Sequence, residues 1–289
     1  MGETLATWYL PEQITHLYYS PVYATLSLRQ KLAYNRLHAC YHCEVCAFLE
    51  GELPGYYLRA AAAPYVPEKL RQAAQALNDS EKWHAATFRS LARRISPELY
   101  SSQDEYAIIR PPSGASLLLR KLLDWPALLP SLLWIALIQE ERGTFFGEEV
   151  LRQSDKLDPQ MVDWQRRHLA DETDHLNLGE ALLPLCWDAS PHWMRWLNSR
   201  FLRFVLREFM SAPKRSGVRV IERLVQACPE LMPRKVELIA AMRELDGNAK
   251  FHESIYSRKI APKTFALFDR YTEFRDLGDR LLGYTPEFQ

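Results

Sequence analysis

Four long stretches with helical spacing of apolar residues, arranged as two pairs around proline-marked turns, limit what this chain can fold into. The first pair runs from about 26 to 63 and from about 68 to 95. Pro64-Tyr65-Val66-Pro67 separates them, and Pro54-Gly55 kinks the first. The second pair runs from about 130 to 152 and from 159 to about 183. Between them Asp158 sits ahead of Pro159, an Asp cap before a proline at the first helical position, and Pro184 marks the far end. Shorter helical patterns follow at 192–211, 214–227, 233–245, 248–258 and 263–281. No alternating strand pattern of useful length occurs, and only 11 of 289 residues are Gly. The reading is all-α: four principal helices within 1–190, after an irregular aromatic N-terminal arm, and a helical C-terminal extension over 191–289 that packs on them. Residues 97–115, rich in Pro and Ser, form the crossover between the two pairs, with a short helix before Pro126.

Composition removes several function classes. Lys+Arg and Asp+Glu both number 36, so there is no net positive charge with which to neutralise phosphates, and nucleic-acid binding is not expected. The most apolar stretch, Leu117 to Ile138, carries Arg120, Lys121 and Asp124 and two prolines, too interrupted for a span of about 20 residues. The first residues lack the basic start and apolar core of a secretion signal. Five Cys, three of them on one helix, read as reduced thiols, so a cytoplasmic location is expected.

The chemistry lies in two Glu-x-x-His motifs, Glu81-Lys82-Trp83-His84 and Glu172-Thr173-Asp174-His175. Residues three apart share a helix face, so each pair can point at one metal ion. One such motif is weak evidence. Two, on long helices of a four-helix pattern, match the di-iron carboxylate arrangement of ferritin-like bundles, in which the other two helices supply a lone Glu each. The lone carboxylates follow from geometry. In an antiparallel pair, residues at one depth are equidistant from the turn. Glu81 lies about 15 residues past its turn, which selects Glu50 upstream; Glu44 would sit about 9 Å lower. The same construction from Glu172 selects Glu141. Its neighbour Glu140 is the rival, rotated by about 100°. Both intervals, Glu50 to Glu81 and Glu141 to Glu172, are 31 residues. His168 stands four before Glu172 and seven before His175, on the same face, and adds a third imidazole. A thiolate-free N/O donor set suits iron, or manganese.

Lone Glu, Glu-x-x-His, lone Glu and His-x3-Glu-x2-His together resemble the para-aminobenzoate N-oxygenase (AurF-type) family of non-haem di-iron oxygenases. The spacings of 57 from His84 to Glu141 and 27 from Glu141 to His168 are similar to that family's pattern. The resemblance covers about residues 20–185. It implies two iron ions, held by Glu50, Glu81, His84, Glu141, His168, Glu172 and His175, with O2 as co-substrate. The implied activity is N-oxygenation of a small amine to hydroxylamine, nitroso or nitro products through a peroxo-di-iron(III) species, in a biosynthetic pathway. An external electron donor of reductase or ferredoxin type would re-reduce the iron. The same ligands would also serve a carbon hydroxylase or desaturase, or a ferritin-like iron-binding or peroxide-detoxifying protein.

Around these positions, Asp79, Asp171 and Asp174 are candidates to accept the second N–H of the ligating imidazoles, against a solvent-facing alternative. Cys40, Cys43 and Cys46 read as small packing residues, since a continuous helix does not wrap three thiolates around a cluster. His38 and His42 read as polar positions of the same helix, and Glu148-Glu149 and Arg166-Arg167 as solvated faces. Trp83, Trp134, Phe145, Phe146 and Trp164 read as core by default, with pocket wall as the sharper use. Trp193, Trp196, Phe201, Phe204 and Phe209 read as a helix–helix seam, within the chain or across a homodimer.

Overall fold

The computed structural model describes residues 7–101, 105–109, 125, 129–208, 215–277 and 284–285. It is an all-α helical bundle, with no strand among the described residues. The helices are α1 (Pro21–Ala24), α2 (Leu28–Glu52), α3 (Pro54–Ala61), α4 (Glu68–Ile95), α5 (Leu129–Arg152), α6 (Pro159–Asp188), α7 (His192–Glu208), α8 (Ser216–Ala227), α9 (Lys235–Glu244), α10 (Ala249–Ile255) and α11 (Pro262–Arg270). The short helix expected before Pro126 lies outside the described residues, as does much of the 97–115 connection; Pro97–Leu99 form a 3-10 turn.

Local sequence sets the helix starts. Ser27 and Gln30 form a reciprocal capping box at the head of α2. Asp158 accepts from the Met161 amide to cap α6. Pro54 ends α2 and opens α3, so the expected kink is a break between two helices. Helix α2 packs along α4 and α5 along α6, and α4 also meets α6. The N-terminal arm is tied to α2 by buried Asn35, whose side chain accepts from the Tyr9 and Leu10 amides and donates to the Leu10 carbonyl.

Pro184 does not end the last long helix. The helix runs four residues further, to Asp188, with Pro184 inside it. A proline in a helix interior costs about 3 kcal/mol. Beyond it Cys186 and Trp187 are buried, and Trp187 stacks on Phe274 and meets Trp134 edge-on. Each large apolar side chain so buried contributes about 1.5–3 kcal/mol, which offsets the proline. Two later helices are shorter than the sequence predicts. The 263–281 pattern stops at Arg270, and the 248–258 pattern at Ile255. Tyr271 takes an extended backbone, which lets Phe274 turn into the nest of Trp134, Trp187 and Phe268.

The C-terminal helices pack on the bundle: α7 and α11 against α5, α8 against α2, and α9 against α8. Asn198 of α7 accepts from the Ser131 amide at the start of α5. Among the described residues, no helix is long and apolar enough to cross a membrane.

Candidate metal centre

Helices α4 and α6, from separate hairpins, bring their motifs face to face at one depth. Glu81 and His84 of α4 and Glu172 and His175 of α6 are all buried, and one ligand atom from each lies within 4.8 Å of the others. A second group, Glu50 of α2, His84 and His168, satisfies the same condition. His84 belongs to both, so the groups adjoin. His175 Nδ1 stands 2.8 Å from Glu81 Oε1 and 3.7 Å from Glu172 Oε1. His168 Nε2 stands 3.0 Å from Glu172 Oε1 and 3.2 Å from Glu50 Oε1.

Of the two lone carboxylates chosen from the sequence, Glu50 joins the cluster and Glu141 does not. Glu141 turns to the C-terminal extension, where its oxygens accept from the Lys263 and Thr264 amides at 2.7 Å each, at the head of α11. Its neighbour Glu140 occupies the place assigned to it: a carboxylate oxygen lies 4.0 Å from His175 Nδ1, and the group hydrogen-bonds Glu172. Equal distance from the turn defines which turn of α5 lies at the depth of the centre, but not which of two faces about 100° apart meets it. The amides that claim Glu141 lie 122 and 123 residues downstream. Glu44, the rival of Glu50, is engaged elsewhere: it accepts from the Tyr100 hydroxyl and from the Ala107, Ile108 and Ile109 amides.

The donor set fits cations. Buried atoms without a hydrogen-bond partner include both Glu81 oxygens, Glu50 Oε2, Glu172 Oε1, His84 Nδ1 and His175 Nδ1. Glu81 Oε1 and His175 Nδ1 are close yet not aligned for a hydrogen bond, which is how two ligands of a shared ion face one another. The far edges of the imidazoles are held. His84 Nε2 lies 3.2 Å from the Asp171 carboxylate. The Ser80 hydroxyl donates to the Leu77 carbonyl, leaving its oxygen to accept from His175 Nε2 at 2.9 Å. A proton on the outer nitrogen of each would leave the Nδ1 lone pair facing the carboxylates, the arrangement common to metal-bound His. Asp171 was thus legible as a partner. Ser80, adjacent to Glu81, was missed; only its position four before His84 hinted at it. Asp79 pairs with Gln75 and Lys82, and Asp174 is exposed.

The protein's own charges leave the centre strained. Burial opposes the ionisation of Glu50 and pushes its carboxyl up to about 8 despite the His168 hydrogen bond. Burial, then the charges of Glu172 and Glu81, push Glu140 well above the carboxylate range. Burial works against charge on His168 as well, but Glu172 and Glu50 carry it up to about 10; Glu172 is held down at about 2 against burial, chiefly by His168. Four carboxylates and three imidazoles in an apolar interior therefore keep protons that two divalent cations can replace, with overall neutrality.

The remaining candidates fall into place around this centre. His38 is buried, not a polar face, and accepts from the His16 amide. His42 stacks on Phe146 at 4.0 Å, with Cys46 Sγ 3.6 Å from its ring nitrogen. Cys40 and Cys43 are buried packing residues, and no cysteine is paired among the described residues. Glu149 is buried against Arg152 and is not a solvated position. Trp164 is core and lies against His84, Phe88 and His168; Trp83 is half exposed. Trp193, Trp196 and Phe204 are exposed; Phe209 is outside the described residues.

No protein-family model and no curated protein matches the chain.

Proposed function

We propose that the protein is a dioxygen-dependent di-iron oxygenase acting on a small amine, of the para-aminobenzoate N-oxygenase type. The observation that carries the reading is the pair of adjoining N/O ligand groups sharing His84 in the bundle interior. Bound there, two ferrous ions would supply the electrons that reduce dioxygen and the site at which one oxygen passes to nitrogen. The first oxygenation of an amine to a hydroxylamine consumes O2, two electrons and two protons and releases water. An external donor that delivers two electrons per turnover completes the balance.

The chain's own part is to hold the cations, admit substrate on one side and exclude water on the others. Glu81, His84 and Glu172 are 0–2% exposed, whereas Glu50 and Glu140 keep 16% and 13%. The centre thus opens between α2 and α5, helices that meet only sparingly among the described residues. Away from Glu50 the two helices touch, since His42 of α2 stacks on Phe146 of α5. Among the described residues, Gly143 has no atom within 4 Å of where a Cβ would lie, which leaves space one turn from Glu140.

Anaerobic Fe(II) titration tests the metal half: two ions per chain are expected, with both lost in Glu81→Ala and Glu172→Ala while the helical circular-dichroism signal persists. Exposure of the reduced protein to 18O2 with a panel of aryl and alkyl amines tests the rest. N-oxygenated products carrying 18O support the reading. Label at carbon assigns the site to a hydroxylase, and iron uptake without any labelled product assigns it to iron storage or detoxification.

A further inference from the structure

Helix α3, the short element that follows the break at Pro54, carries no expected ligand, yet it sends one polar atom towards the metal centre. Tyr57 is fully buried, and its hydroxyl has no hydrogen-bond partner among the described residues. The hydroxyl comes up against Gly179 of α6, where an added Cβ would lie 3.0 Å from it and 3.0 Å from Leu137 Cδ1 of α5. Gly179 is one turn beyond His175, and Leu137 is one turn before Glu140. The hydroxyl therefore stands about 5 Å along the bundle from the level of the cluster, between the two helices that carry Glu140 and Glu172. Burial, then the charges of Glu140, Glu81 and Glu172, push the phenol well above its ordinary value, so it keeps its proton. A fully buried hydroxyl without a partner, one turn from the carboxylates of the centre, is a hydrogen-bond donor in want of an acceptor.

We infer that Tyr57 is a positioning residue of this centre: its hydroxyl donates to one oxygen of Glu140, which fixes the other oxygen towards the cation. The inference rests on the metal-centre reading above. Gly179 has a stated part in it, since any side chain there would drive the hydroxyl out of place. Donors of this kind to ligating groups are commonly worth ten- to a hundredfold in metal affinity.

The test is Co(II) titration of the full-length protein, followed by its visible ligand-field bands and by thermal unfolding. Tyr57→Phe removes only the hydroxyl. The expected result is about ten- to a hundredfold weaker binding of one Co(II), a shift of its visible bands, and a metal-free Tm that is unchanged or higher, because an unpartnered polar atom has gone. Gly179→Ala, which keeps the hydroxyl but displaces it, is expected to weaken the same ion. Unchanged Co(II) affinity and bands in Tyr57→Phe, beside a wild type that loads two ions, overturn this inference alone. A fall of many degrees in its metal-free Tm makes Tyr57 a packing residue and overturns the inference too. A wild type that takes up no Co(II) removes the metal centre and this role together.

Discussion

Glu140 and Glu141 are adjacent, chemically identical and committed to different tasks, so the same substitution at each should give opposite results. Glu141 is 4% exposed and caps α11 through space, its two oxygens each 2.7 Å from an amide. The residue at the cap position, Ala261, has no oxygen to offer. Glu141→Gln keeps one acceptor oxygen but turns an amide NH2 towards the second backbone N–H. One charge-assisted bond, about 1.5–3 kcal/mol, is lost, and a buried donor is left without a partner. The expected destabilisation is about 2–3 kcal/mol. With about 2.1 cal/mol/K of unfolding entropy per residue, 289 residues give about 0.6 kcal/mol/K, hence a Tm lower by about 4 °C. Metal stoichiometry should stay at the wild-type value. Glu140→Gln should do the reverse. It removes a carboxyl that burial and neighbouring charges already keep protonated, so the metal-free Tm should hold or rise while one ion binds more weakly. Differential scanning fluorimetry with and without a chelator, alongside iron analysis, reads both. Loss of metal in Glu141→Gln with normal loading in Glu140→Gln would refute the assignment of faces on α5.

Three further outcomes follow from the same geometry. In chelated protein, Glu50 at about 8 lies above its ordinary value, so the stability it contributes below about pH 4.5 is lost as pH rises to 8. His168, raised to about 10, adds to the loss above about pH 6.5, whereas Glu172, held at about 2, costs stability only as pH falls from 4.5 towards 2. The metal-free Tm should therefore decline from pH 5 to 8, by on the order of a few kcal/mol in stability, and metal should reverse the slope because its ligands bind deprotonated; a metal-free Tm that climbs over this range contradicts the charge balance. Gly143→Leu should fill the space one turn from Glu140, leaving Fe(II) loading largely unchanged and abolishing turnover of bulky amines before small ones, a selectivity that product analysis would reveal. Pro184→Ala should raise Tm by a degree or more, since the helix already runs through that position; a fall would mean that the proline ring itself packs there.

The residues explain how much could be read before the fold was known. Glu81, His84, His168, Glu172, His175 and Glu50 were accessible because helical periodicity and equal distance from a turn are properties of one hairpin, and both are written in sequence spacing. The all-α architecture follows in the same way, from the absence of alternating patterns and from caps such as Asp158. Other features needed contacts between residues far apart. Whether Glu140 or Glu141 faces the centre was decided by the α11 amides of Lys263 and Thr264. The continuation of α6 past Pro184 was decided by the burial of Trp187 among Trp134, Phe274 and Tyr271. Ser80, Tyr57 and Gly179 became visible only when helices from separate parts of the chain were brought side by side. Sequence fixes the period and depth of a side chain along its own helix; the rotation of that helix, and the partner each buried polar group finds, are settled by the packing of the others, because only burial makes an unpaired charge or hydroxyl costly enough to choose between faces.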